Sequence, residues 1–247
     1  MIRVNNLCKS FGPQEVLRGV SFEVGPGEFM ALIGGSGCGK SLLLKLLVKL
    51  LKPDCGQIWV AGKDVAALSR RELEGLRSRI GFVFQGGALF DSLTVYDNVA
   101  FPLRENTGLG EKDIREKVLG ELELVGLHDA EHKFPAQLSG GMLKRVALAR
   151  ALVRDPEIVL FDEPTTGLDP VASRAVLDLF GSVHHRLKLT GILVSHEIPR
   201  IFGIVQKVAM LHEGRIIAVE PPDRLCASPE PTIQQFVNGN AEETIVA

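Results

Sequence analysis

The sequence predicts an α/β fold: a buried parallel sheet with helices, an antiparallel β layer and a helical insertion. Three observations predict it. Phe29–Ile33, Ile158–Phe161 and Gly191–Ser195 are apolar runs without alternation, the composition of strands covered on both faces. Val20, Phe22 and Val24 alternate with Ser21 and Glu23, which is the pattern of a half-exposed antiparallel strand. From about 89 to 154 the periodicity turns helical.

Taken in order, Ile2 to Phe11 is the antiparallel neighbour of the Val20–Val24 strand, and Gly25-Pro26-Gly27 is a turn. Helix 41–51 follows and ends at Pro53-Asp54. Its Lys45, Lys49 and Lys52 stand at i, i+4 and i+7, a cationic stripe read as a solvated face over a leucine core. Gln57–Val60 and Lys63-Asp64 form a short β segment, Arg70–Ser78 a charged helix and Ile80–Phe84 a strand. Glu111–Val125 sets Ile114, Val118, Leu122 and Val125 near one face, and Met142–Val153 is a further helix. Val208–Leu211 and Ile216–Val219 flank Glu213-Gly214 as a hairpin. Residues 1–220 therefore read as one domain, with its helical part at about 89–154, and 221–247 as a C-terminal extension. In that extension Ile233, Phe236 and Val237 stand in a polar setting, open to packing on another subunit or to disorder.

The chemistry starts directly after the Phe29–Ile33 strand. Gly34-Gly35-Ser36-Gly37-Cys38-Gly39-Lys40-Ser41 is G-x-x-x-x-G-K-S, the phosphate-binding P-loop. Its glycines let backbone N–H groups turn inward around phosphates. Lys40 can reach the β- and γ-phosphates, the Ser41 hydroxyl can ligate Mg²⁺, and the next helix aims its positive end at the same anion. A nucleoside triphosphate with Mg²⁺ is the ligand this predicts.

Ile158–Phe161 runs into Asp162-Glu163, and a buried strand ending in Asp is the usual second Mg²⁺ anchor of a P-loop protein. Glu163 can polarise a water for in-line attack on the γ-phosphate. Leu138-Ser139-Gly140-Gly141-Met142 precedes a helix carrying Lys144, Arg145 and Arg150. It reads either as an ordinary N-cap or as an anion site built from N–H groups and a hydroxyl.

Composition narrows the class. Lys+Arg 28 against Asp+Glu 30 offers no global attraction to nucleic acid. No stretch approaches the roughly 20 apolar residues of a membrane span. Arg3, Asn5, Asn6 and Lys9 interrupt any signal-peptide pattern at the start. Cys8, Cys38, Cys55 and Cys226 lie far apart in sequence, which favours a reduced, cytosolic chain over a disulfide framework. His184 and His185 read as surface residues.

The order P-loop, Gln85, Leu138-Ser139-Gly140-Gly141, Asp162-Glu163, Gly167-Leu168-Asp169, Ser195-His196 resembles the ATP-binding cassette ATPases over residues 2–220. The resemblance implies a P-loop core with an antiparallel β subdomain and a helical subdomain. It also implies ATP hydrolysis by two copies paired head to tail, the P-loop of one facing the Ser-Gly-Gly of the other. Carried over by position, Phe11 stacks on adenine, the alternative being a core aromatic. Gly34 to Ser41 bind ATP and Mg²⁺; Gln85 contacts Mg²⁺ and water; Asp162 holds Mg²⁺ through water. Glu163 is the general base, His196 fixes the attacking water at the γ-phosphate, and Lys40 completes the catalytic set. Ser139, Gly140, Gly141 and Asp169 act in trans.

The chain departs from the family pattern at two positions. Leu42 stands where Thr is frequent, removing a hydroxyl worth about 1 kcal/mol. Met142 stands where Gln is usual.

Phe84–Val95, Asn98–Leu103 and Met142 together look like the ATPases of MCE-type lipid transporters, the Mla system of Gram-negative envelopes. That resemblance implies a phospholipid cargo, an integral membrane permease, a periplasmic MCE-domain protein and a small STAS-domain partner. It places the chain peripherally at the cytoplasmic face of the inner membrane. A conventional importer for small solutes is the alternative, since importers share Asn98-Val99-Ala100. A ribosome- or DNA-acting cassette is disfavoured by charge and by the absence of repeats or heptads. A P-loop kinase or GTPase would lack Leu-Ser-Gly-Gly and His196 in this order.

Overall fold

The structure is a computed structural model, and it describes residues 1–238. The chain divides into two compact units: Met1–Arg77 with the segment from Thr190 onward, and Ser78–Leu189.

The first unit opens with β1 (Ile2–Phe11) and β2 (Gln14–Val24), an antiparallel hairpin. β3 (Phe29–Ile33) is wholly buried, as its unalternating composition requires. Burying each of its large side chains contributes about 1.5–3 kcal/mol. α1 (Lys40–Leu47), β4 (Cys55–Val60), β5 (Lys63–Asp64) and α2 (Arg70–Arg77) follow. One sheet of this unit runs β2-β1-β4-β5, antiparallel throughout.

α1 is shorter than the sequence predicts. Lys49 takes φ 53°, which ends the helix, and the Arg77 guanidinium donates to the carbonyls of Val48 (2.9 Å) and Lys49 (3.0 Å). Lys49 in turn donates to the Ala66 and Leu68 carbonyls at 2.9 and 3.0 Å. The predicted Lys45–Lys49–Lys52 stripe is therefore not a helix face: Lys45 alone lies within α1.

The second unit pairs β6 (Ile80–Val83) in parallel with β7 (Ile158–Asp162). Between them run α3 (Val95–Asn106), α4 (Glu111–Leu124), a short 3₁₀ turn at Pro135–Gln137 and α5 (Gly140–Leu152). α4 buries Ile114, Val118 and Leu122, the predicted face. After β7 comes α6 (Pro170–Leu187), which the sequence reading omits. Its signal was present: Asp169 caps, Pro170 occupies the first turn, and Val176, Leu177, Phe180 and Val183 are buried. Phe180 meets Phe161 of β7 with ring centroids 4.6 Å apart.

The chain then returns to the first unit. β8 (Thr190–Val194) and β9 (Lys207–His212) flank β3, both parallel to it, and β10 (Arg215–Glu220) pairs antiparallel with β9. α7 (Pro222–Cys226) and α8 (Pro231–Val237) bury Leu225 and Ile233, so Ile233 has an intramolecular place. The part of the predicted extension beyond Asn238 lies outside the described residues. No helix among the described residues is long and apolar enough to cross a membrane.

The cysteine reading needs correction. Cys8 of β1 and Cys55 of β4 are bonded as a disulfide, with Cα atoms 5.0 Å apart. A register shift between Asn5 and Cys8 brings the two residues opposite each other. Separation in sequence hid a pairing that only strand register reveals.

Glu121 on α4 is the misfit of the second unit. Its Oε2 is buried with no hydrogen-bond partner among the described residues. Burial pushes its carboxyl up to about 7, the Asp155 charge adding to this and Lys117 and Arg186 opposing it. A raised carboxyl leaves the fold unpenalised below the unfolded value near 4.5, then costs stability as pH climbs toward 7 and stays costly above it. Glu121→Gln is expected to raise stability at pH 8 by about 1 kcal/mol, discounted for solvent reaching the group, and to change little near pH 4. Thermal unfolding of both proteins across this range checks it; an equal shift at both ends would remove the titration as the cause.

Candidate functional site

The first unit carries the phosphate loop at the C-terminal end of β3. Gly34 takes φ 151°, and a Cβ there would lie 2.2 Å from the Leu211 carbonyl oxygen, so only glycine lets the chain leave the strand here. Lys40 opens α1 yet is buried to 5% exposure. Its ammonium donates to the carbonyls of Gly34 at 2.9 Å and Gly35 at 2.8 Å. Cys38 lies in the same turn, where burial pushes its thiol up against the opposing pull of Lys40. Ser41 follows Lys40 in the first turn of α1.

His196 belongs with this loop by strand register. Leu32 of β3 pairs with Val194 of β8 in parallel, so both strands finish level. Gly34 and Ser195-His196 leave the same end of the sheet, which is where open α/β sheets bind ligands. Ser195 is buried and its Oγ accepts from the Glu197 N–H at 3.0 Å, while His196 is exposed.

Phe11 ends β1 at the hairpin tip, opposite Gln14. It is 51% exposed, which removes the core-aromatic alternative. Val16 and Leu17 of β2 press against the loop, since a Cβ on Gly39 would lie 2.9 Å from Leu17 Cδ2 and 3.0 Å from Val16 Cγ1. Gln14, opposite Phe11, is three residues before Leu17, so Phe11 stands about 10 Å along the strand from that contact. Asp54 grips the approach to that tip. Its Oδ1 accepts from Lys9 Nζ and its Oδ2 from the Ser10 N–H, each at 2.7 Å. The Lys9 ammonium also stands 5.4 Å from the centre of the Phe11 ring.

The second unit carries the remaining residues. Asp162 is buried at the end of β7, and Glu163 follows with φ 45°, a conformation unusual for a residue with a Cβ. The Glu163 Oε2 accepts from Gln85 Nε2 at 3.1 Å and from Thr166 Oγ1 at 3.2 Å. The structure thus joins Gln85 to Glu163 directly.

Two basic residues of α5 hold the loop containing Gln85. Lys144, buried, donates to the Gln85 carbonyl, and desolvation holds its ammonium below the usual lysine range. Arg150 donates to the carbonyls of Gly87 (2.6 Å) and Ala88 (2.7 Å). Arg145 donates to the Val125 carbonyl at 3.2 Å. All three basic side chains after the Ser-Gly-Gly therefore bind backbone carbonyls. Asn98, fully buried, binds the next stretch: its amide donates to the carbonyls of Phe90, Leu93 and Thr94 at 3.0–3.1 Å and accepts from the Phe90 N–H. Sequence reading named these residues without their task; a buried Asn or Lys on a helix demands such partners.

Ser139 and Asp169 are exposed helix caps. Ser139 Oγ accepts from the Met142 N–H at 3.3 Å at the start of α5, leaving Gly140 and Gly141 in its first turn. Asp169 Oδ1 accepts from the N–H groups of Val171 (2.9 Å) and Ala172 (3.0 Å), and these bonds hold its carboxyl below the usual range.

Comparison with known proteins gives one family. Residues 17–166 match the family described as "ABC transporter". The chain is 42% identical to the probable ribonucleotide transport ATP-binding protein mkl of Mycobacterium leprae, covering 96% of this chain and 69% of that one. It is 40% identical to the intermembrane phospholipid transport system ATP-binding protein MlaF of Haemophilus influenzae, covering 98% of this chain and 92% of that one. A dimeric ATP-binding cassette solved in a post-hydrolysis state with ADP and Pi superposes with TM-score 0.81 at 30% identity, over 90% of this chain and 99% of that one.

Met142 gives α5 its backbone N–H, and no polar contact among the described residues uses its side chain. Met142→Gln is expected to keep steady-state nucleotide hydrolysis within about tenfold of the parent. Loss of turnover to background would assign the thioether a role of its own.

Proposed function

The chain belongs to the ABC transporter family, whose cassettes hydrolyse ATP, and from that membership we propose that it is the motor of a phospholipid transporter. The end-to-end match to the MlaF relative carries this reading. The mycobacterial relative, named for ribonucleotide transport, extends well beyond this chain. In this reading the chain sits at the cytoplasmic face of an inner membrane, bound to an integral permease. An MCE-domain protein and a small STAS-domain protein complete the assembly.

Gly34 to Ser41 cradle the phosphates of ATP, with Lys40 exchanging its loop carbonyls for phosphate oxygens. Ser41, Gln85 and Asp162 offer a hydroxyl, an amide and a carboxylate, the hard oxygen donors that Mg²⁺ takes. Mg²⁺ held by them would neutralise phosphate charge as the terminal group leaves. Phe11 offers its exposed ring to the adenine. Glu163, oriented by Gln85 and Thr166, accepts the proton of the attacking water, and His196 orients that water.

Ser139, Gly140, Gly141 and Asp169 of a second copy complete the ATP site from across a head-to-tail dimer. Each terminal phosphate then recruits donors from both copies. Hydrolysis removes that bridge, the pair opens, and the motion passes to the permease.

Glu163→Gln is expected to bind ATP with parent-like affinity while turnover falls at least about a hundredfold; normal turnover would remove Glu163 from the base role. Lys40→Ala is expected to weaken ATP binding by at least about tenfold, and unchanged affinity in equilibrium titration would defeat the phosphate-loop assignment. The cargo reading is tested by mass spectrometry of the proteins that co-purify from native membranes in mild detergent. A permease with an MCE-domain protein supports it; a permease with a soluble solute receptor replaces it with a conventional importer.

A further inference from the structure

The disulfide between Cys8 and Cys55 sits beside the residue proposed to carry the base. We propose that these cysteines are a reversible thiol–disulfide modification site, oxidised by a small-molecule disulfide and reopened by a thiol reductant, whose state sets how firmly Phe11 is held. The inference rests on the reading of Phe11 as the adenine platform.

Strand register builds the pair. β1 and β4 pair Asn5 with Gln57, and one residue is then absorbed on β1 before Cys8 meets Cys55. The bulge is tightly made. Asn6 takes φ 47°, and a Cβ on Gly56 would lie 2.4 Å from the Asn6 carbonyl oxygen. The Asn6 oxygen lies 3.6 Å from both sulfurs, so two free thiols would also find an acceptor there. Cys55 is exposed and Cys8 half-buried, so a small disulfide can reach the pair. Disulfides at the reducing cytoplasmic face are transient or redox-sensing as a rule, so a solvent-facing one in a transporter motor is expected to exchange.

The chemistry balances without help from the fold. The Cys55 thiolate attacks the small disulfide, forming a mixed disulfide and releasing one small thiol. The Cys8 thiolate then attacks the Cys55 sulfur and releases the second. Two S–H bonds are lost and one S–S bond is gained, and both electrons and both protons leave on the two small thiols.

The link to Phe11 is short. Cys8, Lys9, Ser10 and Phe11 are consecutive, and so are Asp54 and Cys55. Asp54 donates its N–H to the Cys8 carbonyl at 3.0 Å and accepts from Lys9 and Ser10 through its carboxylate. Oxidised, the Asp54-Cys55 clamp is covalent on one side. Reduced, it depends on exposed hydrogen bonds that open locally. A less restrained Phe11 is less pre-organised for stacking, which weakens nucleotide binding and leaves the phosphate chemistry alone.

The test uses the full chain equilibrated with reduced and oxidised glutathione. Thiol labelling is expected to show Cys8 and Cys55 interconverting with the poise, and KM for ATP is expected to be about threefold higher in the reduced protein at unchanged kcat. Inhibition by inorganic tripolyphosphate, which has no base, should not change. Cys8→Ser should hold the reduced KM at every poise. Phe11→Ala separates the two claims. If it raises KM while the parent shows no redox effect, the switch is wrong and the platform stands. If it leaves KM unchanged, the platform reading falls, and the switch with it. Cysteines that stay in one form across the whole range also overturn the switch.

Discussion

A buried ammonium organises the first unit. Lys40 has too little exposure to keep its water, so it must find acceptors within the loop, and the Gly34 and Gly35 carbonyls are those acceptors. Turning those carbonyls inward requires the backbone at Gly34 that the Leu211 carbonyl denies to any residue with a Cβ. The same loop leaves β3 at a fixed level, and β3 is wholly buried between β8 and β9. Parallel register with β8 then fixes where His196 emerges. One charged group thus sets the turn, the turn depends on the strand, and the strand fixes the level at which its neighbour releases His196. Phosphate oxygens are stronger acceptors than amide carbonyls, so a nucleotide bound as proposed would gain Lys40 without the cost of desolvating it anew.

The second unit solves a similar problem with several cations. The loop after β6 cannot form a ladder of its own, and its carbonyls at Gln85, Gly87 and Ala88 are met by Lys144 and Arg150 from α5. α5 is also the helix that Ser139 caps. Gln85, which bonds to Glu163, and the Ser-Gly-Gly turn are therefore both tied to one rigid element. A displacement of α5 would be felt at both. If Glu163 is the base and Ser139 acts in trans, as proposed, that shared tie would couple them through named hydrogen bonds rather than proximity.

The sequence revealed whatever is encoded by neighbours in the chain. The P-loop motif, the Ile158–Phe161 strand before its two acids and the α4 face are local patterns, and each lies where the sequence pattern predicts it. What escaped depends on distant backbone. Lys144 and Arg150 read only as basic residues on the helix after Ser-Gly-Gly, because their partners lie about 60 residues earlier. The Cys8–Cys55 pairing needs a one-residue bulge, and no composition rule counts bulges. α1 stops early at the positive φ of Lys49, and Arg77 takes the Val48 and Lys49 carbonyls beyond its last residue, a contact the helix's own sequence does not announce. α6 was the exception: its cap, its proline and its apolar spacing were all local and were passed over.

Under the proposed head-to-tail pairing, the caps at Ser139 and Asp169 would let one side chain serve fold and assembly together. A hydroxyl oxygen has two lone pairs, and Ser139 spends one on the Met142 N–H. In the proposed dimer its proton would remain available to donate to a phosphate brought by a second copy. Asp169 takes both backbone N–H groups on Oδ1, and the residue is exposed. Each cap thus fixes its side chain before any partner arrives, so the entropy of orienting it is already lost in the folded monomer. The cap calls only on the backbone of Met142, and any residue with an N–H supplies that.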